Sequence, residues 1–268
     1  MMVPCPKPTA MKGPLSYIGG KNRMAKRLAS MIPDHLTYCE VFLGGGRVFF
    51  EKKPSKVEII NDIDHEVVNF FRCAQQHPDE MARCLKYTLV GREWFRLLDI
   101  QNPASLTDIQ RAVRFFYLQK NCYAALVHGR HYAAKVVGAP GFNPNRLGEI
   151  FENVHRRLAR VQIESLPFQE FIPKFDRAAT FFFCDPPYWR RKLYNFNFTD
   201  DDYRTLADLL QSIKGKFVLT VDDVPQLREL FNRSVITEVE IPYTAQREAG
   251  KRYRELIITN FEPPKTES

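Results

Sequence analysis

FFFCDPPYW, residues 181–189, runs three phenylalanines and a cysteine straight into an acid, two prolines and two aromatics. With Thr180 in front, TFFFC is almost continuously apolar, as in a strand buried on both faces of a parallel sheet. Proline cannot donate to a strand ladder, so Pro186 and Pro187 end the strand. Asp185 then emerges at its carboxyl end, where ligands bind in open α/β sheets. The fixed prolines make the Asp185 carboxylate and the Pro186 carbonyl a rigid pair of acceptors, with Tyr188 and Trp189 as flat faces beside them. Two acceptors and a stacking face suit a planar ring with an exocyclic NH2. The bland alternative is an N-cap Asp with Pro in the first helical turn, followed by core aromatics. Trp189 fits either as packing or as a wall of the ring site.

Other short apolar runs surround this one: Tyr38–Leu43, Val57–Asn61, Val161–Ser165 and Phe217–Val221. Helical patterns at Asn22–Met31, Glu66–Gln76, Asp201–Ile213 and Val224–Phe231 alternate with them. Such alternation predicts an α/β, doubly wound sheet. The last two strands, Val235–Ile241 and Tyr253–Asn260, have no helix between them and predict an antiparallel hairpin at the sheet edge.

Residues 73–155 break the alternation. Thr107–Lys120 has a helical apolar stripe with Thr107 as N-cap. Leu147–Val161 repeats the pattern, with Arg156, Arg157 and Arg160 on its other face. A long basic loop with interleaved aromatics lies between. We expect a catalytic domain from 14–72 and 156–262, a small helical insert at 73–155, and flexible tails at 1–13 and 263–268.

The chain has 268 residues and a net charge of +8, which favours a polyanionic partner. No apolar run approaches the roughly 18 residues of a membrane span, and the opening residues lack the apolar core of a secretory signal. The six cysteines are scattered, without a Cys-x-x-Cys pair. They are expected to be reduced and packed, with no structural zinc or other metal.

Two further stretches carry chemistry. YCEVFLGGG (38–46) is a strand running into a glycine turn, and VEIINDID (57–64) is a second strand ending in acids, with Asp62 18 positions after Gly44. Glycines let a ligand approach the backbone, and an acid at the second strand's end accepts from ribose hydroxyls. G-x-G-x-x-G does not fit, because Arg47, Val48 and Phe49 follow Gly46. A nucleoside without pyrophosphate is left. PLSYIGGK (14–21) reads as a wall of that pocket, or as a plain helix-start turn with a solvated Lys21; it is not a phosphate-binding P-loop.

PLSYIGGK, YCEVFLGGGRVFFEKKPSKVEIINDID and FFFCDPPY stand in the order found in the Dam-type, α-group DNA adenine-N6 methyltransferases, and the chain resembles that family over nearly its whole length. It departs at Glu40-Val41-Phe42, where the family usually has Glu-Pro-Phe, and at Tyr17, where Trp is common. Both changes keep the apolar or aromatic character. The resemblance implies a Rossmann-like, S-adenosylmethionine (SAM)-dependent fold with a C-terminal hairpin and a target-recognition insert. It implies site-specific transfer of a methyl group to N6 of an adenine flipped out of duplex DNA. Asp185, Pro186 and Tyr188 would hold the base. Tyr17, Lys21, Phe42, Gly44, Asp62, Ile63, Phe168 and Asp185 would border SAM. Arg130, His131, Lys135, Arg146, Arg247, Lys251 and Arg252 are candidates for DNA contacts.

The resemblance also implies a cytoplasmic enzyme of a bacterium or a phage-infected cell, and it allows a restriction nuclease acting on the same site. Cytosine-N4 methylation uses the same acceptor geometry and stays open from the sequence. A non-catalytic DNA-binding protein on a decayed fold is the reading from a different class.

Overall fold

A computed structural model describes residues 13–19, 21, 24–134, 138, 141, 143–191, 193–242 and 252–264. Strands β1 (Thr37–Glu40), β2 (Val57–Asn61), β3 (Gln162–Glu164), β4 (Thr180–Cys184), β5 (Lys216–Asp222), β6 (Val235–Pro242) and β7 (Arg252–Thr259) form one sheet. Its order is β3-β2-β1-β4-β5-β7-β6. β1 to β5 run parallel, and β7 is antiparallel to both β5 and β6. The expected doubly wound sheet and closing hairpin are both present.

The side chains of β4 explain its continuous apolar run. Phe181 and Phe183 enter one apolar cluster, while Phe182 and Cys184 enter another on the opposite face. A central strand covered on both sides has no wet face to code for. The first face is covered by α1 (Ala25–Met31), α2 (Arg47–Glu51), α3 (His65–Gln76), α4 (Pro78–Leu85), α5 (Arg92–Ile100), α6 (Asp108–Asn121) and α7 (Leu147–Leu158). The other face carries α8 (Phe168–Phe175), α9 (Asp200–Ser212) and α10 (Pro225–Leu230).

Several boundaries differ from the sequence reading. β1 stops at Glu40 instead of Leu43. Val41 still donates to the Phe183 carbonyl, but Leu43 donates across to Asn61, so the chain has begun to curl into the glycine turn. The five-residue helix α2 then starts directly after Gly46. Thr107 caps α6 in a full capping box with Gln110. The helices of 73–155 share one apolar cluster with the sheet: Phe70 stacks on Phe116, and Phe116 packs on Phe151.

Arg157 corrects the expected charged face of α7. It is 7% exposed. Its guanidinium donates to both Glu58 oxygens, at 2.5 and 2.9 Å, and to the Phe49 carbonyl at 3.0 Å. It also covers the Phe49 ring at 3.6 Å. Lys52 pairs with the same carboxylate. Burial pushes the Glu58 carboxyl up, but Arg157 and Lys52 outweigh it and hold the group below its ordinary range. This buried triad fastens α7 to β2 and α2. Arg157→Ala leaves Glu58 half-neutralised in a dry site, and a loss of about 3–5 kcal/mol is expected by denaturant titration. A change below about 1 kcal/mol would show that the site relaxes around the gap.

Candidate active site

A cavity opens at the carboxyl ends of β1, β2 and β4, where the order of the sheet reverses. The glycine turn forms one wall. Gly44 and Gly46 have φ of +48° and +65°, a region side chains disfavour. A Cβ on Gly44 would stand 2.9 Å from the Tyr17 ring, so Tyr17 lies directly on the turn. The Gly44 N–H donates to Asp62 at 2.7 Å, and the Asp64 N–H reaches the other Asp62 oxygen at 2.9 Å. Burial pushes the Asp62 carboxyl up to about 7, against these backbone hydrogen bonds. Glu40 also lines the cavity; burial raises it to about 8, and the Tyr38 hydroxyl donates to it.

Ile63 and Phe168 border the same space. Phe42 packs on Phe168 and Phe198 with centroids 5.9 and 5.4 Å apart. Asn61 ties the wall together: its amide donates to the carbonyls of Val41 and Leu166 and accepts from the Leu166 N–H. All eight residues expected to border the cofactor line this one cavity.

Asp185 connects the cavity to a second cluster. Lys21 lies 2.7 Å from Asp185 Oδ1 and is 5% exposed. The Thr220 hydroxyl donates to that same oxygen at 2.7 Å. Burial works against a charged Lys21, but Asp185 and Glu255 outweigh it and raise its pKa well above the ordinary value. Lys21 therefore stays a cation, and the solvated-lysine reading is excluded. Tyr188 accepts from Lys21 at 3.4 Å and donates to Glu255 at 3.1 Å.

Pro186 is buried, and Pro187 is the proline that reaches the cavity wall. The Tyr203 hydroxyl donates to the Pro187 carbonyl and pins the turn. Trp189 packs on Tyr203 at 4.9 Å, and its N–H donates to Asp222 at 2.9 Å. It belongs to the packing beneath the site.

The segment after the prolines crosses the opening. Asn195 donates to Asp64 Oδ2 at 2.9 Å, and Tyr194 stands 6.5 Å from the Tyr188 ring. Neither was singled out by the sequence reading. Nor were Thr220, Asp222 and Glu255, which arrive from strands far along the chain. The one sequence signal for Glu255 is an acid within the otherwise apolar ELII of the last strand.

The expected DNA-contact residues are more scattered. Arg130 turns inward, with a side chain 13% exposed that pairs with Asp99 at 3.4 Å. His131 and Arg146 are exposed, and Arg146 lies 3.8 Å from Glu149. Lys135, Arg247 and Lys251 lie outside the described residues, and Arg252 is described only as backbone in β7. Among the described residues, no group of His, Cys, Asp and Glu is arranged to hold a metal, and no helix is long and apolar enough to cross a membrane.

Comparison with known proteins matches this site to a family. The model for D12 class N6 adenine-specific DNA methyltransferases matches residues 17–245, which run from Tyr17 through the glycine turn, Asp185 and the whole of β6. The chain is 24% identical to the Type II methyltransferase M1.LlaDCHI of Lactococcus lactis subsp. cremoris, over 91% of this chain and 94% of that one. It is 23% identical to the Type II methyltransferase M.CviBI of Paramecium bursaria Chlorella virus NC1A, over 94% and 98%. It is 25% identical to the Type II methyltransferase M.MjaIII of Methanocaldococcus jannaschii, over 92% and 98%. The adenine specificity of the family resolves the choice between adenine N6 and cytosine N4 that the acceptor geometry leaves open. The chain belongs to the D12 class of N6 adenine-specific DNA methyltransferases.

Proposed function

We propose that the Gly44 turn and Asp62 hold SAM in the cavity, and that Asp185, Pro186 and Tyr188 present a target adenine extruded from duplex DNA beside it. The observation that carries this reading is the state of Asp185. Both of its protein partners use Oδ1, and Oδ2 has no hydrogen bond among the described residues. A carboxylate oxygen left open at a cavity wall, on a side chain only 20% exposed, is an acceptor in search of a donor.

The cavity fits the cofactor. Gly44 lets the Tyr17 ring lie directly on the turn at the cavity wall, Asp62 offers an acceptor for ribose hydroxyls, and Ile63 and Phe168 offer apolar surface for a purine. When bound, SAM supplies a methyl group on a positively charged sulfur. The residues of the chain do the rest. Asp185 Oδ2 and the Pro186 carbonyl each accept one N6–H. Held in this way, the amino nitrogen loses conjugation with the ring, and its lone pair turns toward the methyl group. Asp185 is also placed to receive the proton that leaves N6. Tyr188, fixed through its hydroxyl, offers a stacking face. The rate gain then comes from positioning and electrostatics.

We extend the proposal to double-stranded DNA read by residues 73–155, in the compartment that holds the DNA. On the strength of the family alone, we add a nuclease acting on the same recognition sequence.

Titrating SAM binding against pH tests the cofactor half. The Asp62 carboxyl is raised to about 7, so it is largely protonated in the empty cavity at pH 6 and ionised at pH 8. A raised carboxyl favours the folded state at low pH, and that contribution is lost as pH rises through about 7. A cationic ligand favours the ionised form, so affinity should climb up to tenfold per unit between about pH 6 and 7 and then level. Asp62→Asn should bind about tenfold or more weakly at pH 8 and should lack this extra dependence. Equal affinities in the two proteins at pH 8 would remove Asp62 from the site.

A further inference from the structure

Glu255 is a carboxylate that neither the cofactor site nor the base site needs, yet it is buried between them. It sits on β7 opposite Asp222 of β5 and is 7% exposed. Because β7 runs against its neighbours, the closing hairpin delivers an acid to the edge where the parallel strands end. Glu255 Oε1 accepts from the Tyr188 hydroxyl at 3.1 Å. Oε2 lies 3.6 Å from Lys21 and has no hydrogen bond of its own. Lys21 is thus shared by two carboxylates, Asp185 and Glu255. Asp222 adds a third acid, with one oxygen taken by the Trp189 N–H. Arg191 stands over the Tyr188 ring at 5.5 Å from an exposed position, and its charge acts on Asp222 against the effect of burial.

A buried carboxylate is costly unless something requires it. If its task were only to fasten Tyr188, a neutral acceptor would serve and would avoid that cost. The charge therefore needs its own explanation, and methyl transfer supplies one. As the N–C bond forms and the C–S bond breaks, the electron pair goes to sulfur and the positive charge passes to N6, until a proton leaves. With Lys21 balancing one acid, the second leaves the pocket beside N6 net negative.

Building on the base-site reading above, we propose that Glu255 is a positioning residue for methyl transfer. It holds Lys21 and the Tyr188 hydroxyl so that Asp185 keeps Oδ2 for the base, and its unbalanced charge favours the cation developing on N6.

The test compares Glu255→Gln, Glu255→Ala and Tyr188→Phe in steady-state transfer from labelled SAM to unmethylated genomic DNA. Gln keeps the size and the acceptor for Tyr188 but removes the charge. Glu255→Gln is expected to lower kcat about 10- to 100-fold with the KM for SAM and the Tm unchanged. Tyr188→Phe, which loses only the hydroxyl, should cost less than Glu255→Gln, and Glu255→Ala should cost most. A wild-type kcat in Glu255→Gln overturns the proposal. So does a loss matched by weaker SAM binding or a lower Tm, which marks a structural role. Asp185→Asn, run alongside, separates the two readings: if it stays active, the base site itself is misassigned, whatever Glu255 does.

Discussion

Asp185→Asn is expected to reduce methyl transfer about 10³-fold or more while SAM still binds within a few-fold of wild type. The variant keeps the shape of the side chain, so the loss is chemical. Lys21 and Thr220 both donate to Oδ1. The amide oxygen of an Asn must face those two donors, which sends its NH2 group to the position of Oδ2. A donor then meets the adenine N6–H2, which needs acceptors. The base is no longer held at its amino group, and nothing turns the lone pair toward the methyl donor. Single-turnover transfer with the folded variant measures the effect. A rate within tenfold of wild type would show that Oδ2 does not face the reacting nitrogen.

Lys21→Met should produce the second large loss, on both activity and stability. Met fills a similar volume but leaves Asp185 and Glu255 in one dry cluster without the cation that contacts both. Removing one partner from a buried ionic group costs about 3–5 kcal/mol. Like charges at short range cannot both stay ionised, so one acid takes up a proton near neutral pH. The rate should fall about 10²-fold or more at pH 7. The sign with pH follows. With the carboxyls raised in the variant, activity should recover as pH rises and they ionise. A variant that keeps both wild-type stability and a wild-type pH profile would mean that Lys21 is replaceable by any side chain that fills the space.

These two positions also show what a linear reading reaches. Asp185, Tyr188, Gly44 and Asp62 were legible because their chemistry is local: a strand, a turn and an acid lie within a few residues of one another. The sheet was legible for the same reason, through apolar runs such as TFFFC. The partners were not. Thr220 and Glu255 meet Asp185 and Lys21 only because β4, β5 and β7 lie side by side in the sheet. Their letters alone look like ordinary strand residues. Lys21 was read as a wall of the cofactor pocket; its partner Asp185 lies 164 positions away in the chain. Arg157 misled for the opposite reason. A basic residue between two other arginines looks like a wet helix face, and only the buried Glu58 across the fold turns it inward. Trp189 was ambiguous because an aromatic beside a base site and one beneath it have the same spacing.

The central claim is that this cavity and Asp185 together methylate adenine N6 in duplex DNA. The most direct test incubates the purified chain with labelled SAM and unmethylated duplex DNA, then separates the nucleosides after digestion. The label should appear in N6-methyldeoxyadenosine and be absent from every other nucleoside. Label in N4-methyldeoxycytidine, or unlabelled DNA from a folded protein that binds SAM, would contradict the account.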